Sequence, residues 1–535
     1  MNAREEKRAA FNEQMNEWVS RQGFWFQLRH AADGQSIAAR FLRLLIRLSV
    51  VVVICCLLIW LYLVKRVETE GFQSNVATAI EKSLAAESCE VGVIRKSRDM
   101  ITISTIKAEG SSSSFFHEMS ARVARVNMGL TDGIIGKWST ETVNVDQLIL
   151  KVKAGESDDD AAAKSFASLF AELEGFDFER LMVDRASIEW GYSETNRGSI
   201  SNSSMSVVRD EGAWNIQFRG GTFSQNWLKN LEIESLAIVC DQQGVHVKEA
   251  ILHSGLGTVT FQLKIGSGAQ PQAKGELKLT SMPLKALIPV RYDEWLEGTI
   301  SGEGTIGGST NSQEGIVLDV NFFMGEGDVM VLRDRLPLLS ALSVVDLYNS
   351  YRKVSFNKGG FNLRTAGDLV NIKDIDIQAG TLLHLKGGEF VVRPPTNQEI
   401  ANALNIKDIE MVADVIENKW KFESDELLKG SQEAGLDDAA KGVGKVVQGN
   451  EAGSDQIKNV ITAGILTESK VQRFGGNINL SLKRDAFDKA EKLKLKYPVD
   501  ENEGRIRVGV PLEGRLQSLT LKQAQEFYIL GKNRL

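Results

Sequence analysis

Residues 257–266 read GTVTFQLKIG, and their order decides the fold. Val259, Phe261, Leu263 and Ile265 alternate with Thr260, Gln262 and Lys264. An apolar side chain at every second position lies on one side of an extended strand; on a helix the same four would be spread around the axis. The pattern therefore predicts a strand with one dry and one wet face. The same alternation recurs along the chain. It is seen at Ile101 and Ile103, at Val143 and Val145, at Leu148, Leu150 and Val152, and at Trp214, Ile216 and Phe218. It returns at Ile316, Leu318, Val320 and Phe322, at Phe361 and Leu363, at Ile375 and Ile377, and at Leu383 and Leu385. Further strands are expected at Ile478, Leu480 and Leu482 and at Ile506, Val508 and Val510. The stretches between are short and carry Gly, Asn, Asp and Ser. That favours antiparallel hairpins and meanders over βαβ units. Glycine is plentiful, at 48, and proline scarce, at 8, as suits many strands joined by tight turns.

One segment breaks this pattern. Leu48 to Val64 carries no charge, and extension back to Leu44 adds only Arg47. The run from Leu44 to Val64 matches the ~20 apolar residues that cross a bilayer. It starts too deep in the chain for a cleaved signal peptide, and no small-residue cleavage pattern follows it, so a retained anchor is expected. Arg29, Arg40, Arg43 and Arg47 precede the run, and Lys65, Arg66 and Lys82 follow it. This small bias places the N-terminus on the cytoplasmic side. Upstream, Phe11, Met15 and Trp18 recur at helical spacing beside Val19. They fit either a helix on the membrane surface or a loosely ordered tail.

Helices are expected where the period changes from two to about four. Phe72, Val76, Ile80 and Leu84 form one stripe. Others are expected at 161–173, 283–288, 337–348, 396–404 and 522–530. The organisation follows: a cytoplasmic tail (1–43), a transmembrane helix (44–64), and a helix with the first β segment (65–155). A middle β segment (156–295), a further β module (296–424), a helical or mobile insertion (425–464) and the closing strands and helix (465–535) complete it.

Chemical signals are sparse. The net charge of −7 and pI of about 5.6 argue against a nucleic-acid partner, because phosphate binding needs clustered Lys and Arg. Residues 302–307, GEGTIG, match the dinucleotide fingerprint, but an alternating strand follows where a helix is required, so a glycine-rich hairpin is expected. His30, His117, His246, His253 and His384 form no metal pattern, and Asp158, Asp159 and Asp160 lack the spacing of a calcium loop. Cys55 and Cys56 fall in the apolar run. Cys89 and Cys240 are either a disulfide or, as favoured here, two separate buried thiols. No nucleophile or acid–base constellation is recognisable, and no metal or cofactor is expected. A large β body without such signals points to a binder, carrier or scaffold rather than an enzyme.

Three stretches carry a family resemblance. The first is the entry through ARVARVNMGLTDGIIGKWSTETVNVDQLILKVKAG (121–155), with GFDFERLMVDRASIEWG (175–191) of the same shape. The second comprises LEGTISGEGTIGGS, GDVMVLRDRLPLLSALSVVD and VSFNKGGFNLRTAGDLVNIKDIDIQAGTLLHLKGGEFVV, within 296–393. The third is VGVPLEGRLQSLTL (508–521). Together they resemble the AsmA-like family of bacterial envelope proteins; the insertion at 425–463 departs from the family pattern. The resemblance implies an inner-membrane anchor, a periplasmic body, and a role in phospholipid transport or outer-membrane biogenesis. The expected fold is then mainly β: a long antiparallel sheet curled into a half-pipe or groove, with a few short helices, preceded by one transmembrane helix. About 25 strands in one row would make the groove at most ~120 Å long. Its apolar lining would be Val259, Phe261, Leu263, Ile265, Ile316, Leu318, Val320, Phe322, Phe361, Leu363, Ile375, Ile377, Leu383 and Leu385. The expected partner is membrane phospholipid. The alternative is a dry β core in an envelope scaffold that binds other envelope proteins.

Overall fold

The computed structural model describes residues 3–23, 25–26, 37–67, 69–97, 100–127, 138–153, 160, 164–165, 167, 176–193, 196–210, 212–225, 228–267, 271–288, 294–310, 312, 314–333, 336–417 and 454–531. The chain is mainly β with a few helices, and twenty-two strands join in one sheet. β1 (Ala86–Val91) and β2 (Ile94–Ser97) pair with opposite ends of β3 (Met100–Gly110) and share one row. β4 (Phe116–Asn127) and β5 (Trp138–Lys153) continue the meander. β6 (Phe176–Ser193) lies parallel to β5, against the antiparallel expectation. A parallel pair needs a crossover connection. Asp160, Lys164, Ser165 and Ala167 in that connection are helical; the remainder of the helix expected at 161–173 lies outside the described residues.

β7 (Asn196–Asp210) follows β6, and β8 (Ala213–Arg219) and β9 (Thr222–Gln225) fill the next row against β10 (Leu228–Asp241). Gly220 and Gly221 separate β8 from β9 at φ 66° and 71°. A Cβ on Gly221 would come within 2.4 Å of the Ser201 carbonyl oxygen, so only glycine fits this break. β11 (Gly244–Ser254), β12 (Gly257–Gly266), β13 (Ala273–Pro283) and β14 (Leu296–Gly308) follow as successive neighbours. The GEGTIG stretch lies inside β14, as the hairpin reading requires. β15 (Ile316–Phe323) and β16 (Met330–Arg333) pair with opposite ends of β14. β17 (Lys353–Phe356) pairs with β16, and β18 (Lys358–Ala366) with β15, so each couple is one interrupted row. β19 (Leu369–Ala379), β20 (Leu383–Arg393), β21 (Arg473–Leu482) and β22 (Ile506–Gly514) finish the sheet.

Four of the twenty-two strands therefore continue a row that a neighbour began, which leaves eighteen rows and a width of roughly 80 Å at ~4.8 Å per row. This lies within the upper bound of ~120 Å set by about 25 strands in one row. A single long strand can hold two apolar runs: β5 carries both Val143–Val145 and Leu148–Val152. Among the described residues no pairing joins β22 to β1, β2 or β3, so the sheet has two edges. Pro511 sits on the edge strand β22, where the missing N–H costs no ladder bond.

Among the described residues, α1 (Ala3–Ser20), α2 (Ile37–Val67) and α3 (Glu70–Leu84) precede the sheet, and Trp25 and Phe26 are also helical. α3 packs on β1 and sets Val76 among Ile94, Ile101 and Val126. On α2 the apolar side chains of Leu45, Ile46, Leu48, Val50–Ile54 and Leu57–Ile59 are all exposed. Among the described residues no helix is long and apolar enough to cross a membrane, so the structure does not show the span expected at 44–64. The short α4 (Leu284–Leu287) follows β13, and α5 (Pro337–Val345) joins β16 to β17. Between β20 and β21, α6 (Asn397–Leu404), α7 (Ile409–Glu417) and α8 (Ser454–Ser469) form a small separate core around Ile400, Val412 and Ile465. Most of the insertion expected at 425–464 lies outside the described residues. α9 (Glu491–Lys496) and α10 (Leu521–Gly531) complete the chain.

Candidate functional site

Cross-strand partners in a sheet share a face, so the register identifies which side chains stand together. One line of partners crosses all eighteen rows. It runs Ile94, Ile103, Ala124, Val145, Val183, Met205 and Phe218. It continues through Leu236, Ala250, Phe261, Leu277, Gly304 and Val320. It ends with Leu363, Ile372, Phe390, Gly476 and Leu512. Every member is apolar or glycine. At Gly304 a Cβ would come within 2.2 Å of the Asp319 carbonyl oxygen, which explains the glycine there.

A second line runs beside the first, from Ile101 through Val126, Val143, Leu181, Val207, Ile216 and Ile238. It passes Val247, Leu263, Gly275, Ile306, Leu318 and Thr365 and reaches Val370, Val392, Phe474 and Gly514. From β3 onward Thr365, which is buried, is its one polar member, and in the β2 row Ile101 faces Lys96; the Thr365 hydroxyl accepts a bond from the Leu318 amide. The apolar face is thus continuous over the full width of the sheet.

The sequence-predicted residues all stand on strands of this sheet, and all but Ile265 join or pack against a single core cluster. Val259, Val320, Phe322, Ile375, Ile377 and Leu383 are buried. Phe261, Leu263, Ile265, Ile316, Leu318, Phe361, Leu363 and Leu385 are half-buried. The register brings Phe261, Val320 and Leu363 into the first line and Leu263 and Leu318 into the second. Val259, Phe322 and Phe361 lie one step below, and Phe322 stacks on Phe361 at 5.4 Å. Met205, Leu236, Ala250 and Leu277 belong to the same face, yet sequence reasoning did not single them out. Their signal was present but weak, because small residues such as Ala250 stand where a large apolar side chain would advertise the face.

Side chains from separated rows meet over this face. Phe223 on β9 and Phe261 on β12 are three rows apart, about 14 Å along a flat sheet, yet their ring centroids are 5.9 Å apart. Trp190 on β6 and Phe223 approach to 6.0 Å. Register shifts at Val183/Ala186, Ile233/Ser235, Val247/Ala250, Leu279/Met282, Gly360/Asn362 and Leu385/Gly388 lie within three residues of the first line. Bulges of this kind bend a strand and increase its twist.

The opposite face is wet and carries ion pairs between neighbouring strands: Lys151–Glu118 at 2.7 Å, Arg125–Asp146 at 2.8 Å and Lys278–Glu303 at 2.8 Å. The hydrogen bond from Lys151 holds Glu118 below the ordinary carboxylate range. His246 and His253 share β11; they face Asp241 and Glu234 respectively. Cys89 and Cys240 are free and buried, and burial pushes both thiols up to about 11.

Coverage of the apolar face varies along the sheet. α4 touches β10, β13 and β14 and buries Leu284 and Leu287. Toward the C-terminal edge α5 packs on α10, and α10 contacts α9 and β22. Phe487, Tyr497 and Phe527 form an aromatic trio there, with centroids 5.5–6.1 Å apart. Tyr351 is fully buried and donates to Asp346 at 2.8 Å; burial, then that carboxylate, drives its phenol far above the ordinary value. Two concavities stand out near this edge, of about 650 and 350 Å³. Both have charged linings, including Lys483 and Asp488 in one and Lys386 and Glu503 in the other, and neither touches a predicted residue. Among the described residues no His, Cys, Asp and Glu cluster is placed to hold a metal. No family model matches this chain, and neither the curated proteins nor the solved structures include a match to it.

Proposed function

We propose that this chain is a bacterial inner-membrane-anchored envelope protein whose periplasmic β body shelters phospholipid acyl chains, in lipid transport or outer-membrane biogenesis. The single observation that carries this reading is the unbroken apolar face, eighteen rows wide, on a sheet whose other face is charged. A dry face that long, bent toward itself, has the form of a half-pipe. Acyl chains can lie along it while headgroups stay in water, and each methylene taken out of water contributes ~0.8 kcal/mol. The half-buried Leu263, Ile265, Ile316 and Leu318 are where a chain would gain cover. The exposed apolar side chains of α2 support its role as the anchor, since such a surface in water is unfavourable and in hydrocarbon is not. The resemblance of 121–155, 296–393 and 508–521 to AsmA-like proteins supports the same assignment.

A second reading, an envelope scaffold with a dry core and protein partners, draws on a specific observation. Val320, Phe322, Ile375, Ile377 and Leu383 are buried by protein alone. Native mass spectrometry of the full chain extracted in mild detergent separates the two. The lipid reading predicts co-purifying phospholipid at defined stoichiometry. A lipid-free chain bound stoichiometrically to another envelope protein would support the scaffold instead.

A further inference from the structure

Helix α1 sorts its charges by sign. On an α-helix, residues three, four and seven apart return to one side. Met15 and Trp18 stand four and seven residues after Phe11; Arg8, Lys7 and Arg4 stand three, four and seven before it. All six therefore share one stripe. Glu6, Glu13 and Glu17 share another, on the far side of the helix, and Glu5 lies between the two stripes. Phe11, Met15 and Trp18 are 62%, 45% and 50% exposed, and the three basic residues are exposed as well. No helix or strand among the described residues packs extensively on α1. After the helix the chain turns back and sets Phe26 edge-on against Trp18 at 5.4 Å, which widens the apolar patch. By hydrophobicity alone the helix is poorly sorted, because basic residues share the aromatic side; by charge sign it is well sorted.

We infer that α1 lies on an anionic phospholipid surface. Phe11, Met15 and Trp18 enter the acyl boundary, and Arg4, Lys7 and Arg8 meet the headgroup phosphates. Glu6, Glu13 and Glu17 then face water about 10 Å farther out. That is roughly one Debye length at physiological salt, so the surface feels the basic stripe more than the acidic one. The apolar α2 that follows would hold α1 near such a surface. A protein groove or a second copy would equally welcome the aromatic residues, but the three basic residues beside them select a dense anionic plane. This inference goes beyond the proposed acyl-sheltering role and does not need it.

The test places a genetically encoded dansyl side chain at position 11 or position 13 of the full chain. The chain is reconstituted into vesicles of phosphatidylglycerol with phosphatidylethanolamine, or of phosphatidylcholine alone. The expected result is a blue-shifted emission at position 11, none at 13, and only in anionic vesicles. The triple variant Arg4→Glu, Lys7→Glu, Arg8→Glu should weaken the response at least about tenfold, while Arg4→Lys with Arg8→Lys retains it. Equal shifts at 11 and 13, an equal shift in phosphatidylcholine, or a shift that vanishes as the protein is diluted in lipid would each overturn the inference. The last of these would identify a second copy as the occupant. None of these outcomes depends on whether the β body carries lipid.

Discussion

The rows from β10 to β13 and those from β19 to β22 build the same apolar face and finish it differently. In the first region strand side chains meet one another, with Phe223 of neighbouring β9 against Phe261, and among the described residues the one-turn helix α4 packs there. Leu252 and Met282 are fully buried there, while along β12 burial falls from Val259 at 1% exposure to half-buried Phe261, Leu263 and Ile265. In the second region helices α5, α9 and α10 come into play, and Leu482, Val510, Phe487 and Phe527 are fully buried. Strand side chains alone cover the face unevenly; the helices add a further packed layer over part of it.

The largest expected effect tests the packed end. Phe527→Ala removes the shared ring of the aromatic trio and should cost about 3–5 kcal/mol in chemical denaturation. A loss below about 1 kcal/mol would show that α10 is not seated as described. Next comes a matched pair of leucines. Leu482→Ala, at a fully buried position, should cost about 2–5 kcal/mol, while half-buried Leu263→Ala should cost about half as much. Equal losses would erase the contrast between the regions.

A smaller effect concerns the helical unit between β20 and β21. Arg393 donates to Glu399 at 2.8 and 3.0 Å, and Glu399 closes a capping box with Thr396. These contacts, the Arg393 bonds foremost, hold Glu399 at about 2. Its pKa is thus lower folded than unfolded, so its contribution is complete above about pH 4.3 and drains away as pH falls toward 2. Glu399→Gln should cost about 1 kcal/mol at neutral pH, discounted because the pair is partly exposed, and should flatten the acid limb of a stability–pH curve. An unchanged acid limb would exclude Glu399 as its source. The smallest effect belongs to the wet face: Lys278→Ala should change stability by less than about 0.5 kcal/mol, because the Lys278–Glu303 pair is solvent-exposed. A larger loss would mean that this face is covered.

The strands were legible because their alternation is a local property. Val259 to Ile265 reads as β12 without any knowledge of its neighbours. The short helices were legible through their boundaries, as with Pro337 opening α5 and Thr396 capping α6. What could not be read was non-local. The parallel junction of β5 with β6 depends on a crossover connection, and the merging of β15 with β16 into one row depends on both meeting β14. The division of the predicted face also escaped the sequence. Nothing in the alternation of Phe322 or Leu383 distinguishes a residue that a helix or a bend will bury from one, like Leu318, at a half-open strand end. Coverage is decided by elements distant in the chain.

The central claim is that the half-open part of the apolar face holds acyl chains. The most direct measurement is photo-crosslinking in cells, with p-benzoylphenylalanine in place of Leu263 or Leu318, compared with Val510 in the packed region and Lys278 on the wet face. Phospholipid adducts at 263 and 318, and none at 510 or 278, are the predicted result. No adduct at 263 and 318, or adducts at all four positions alike, would contradict it.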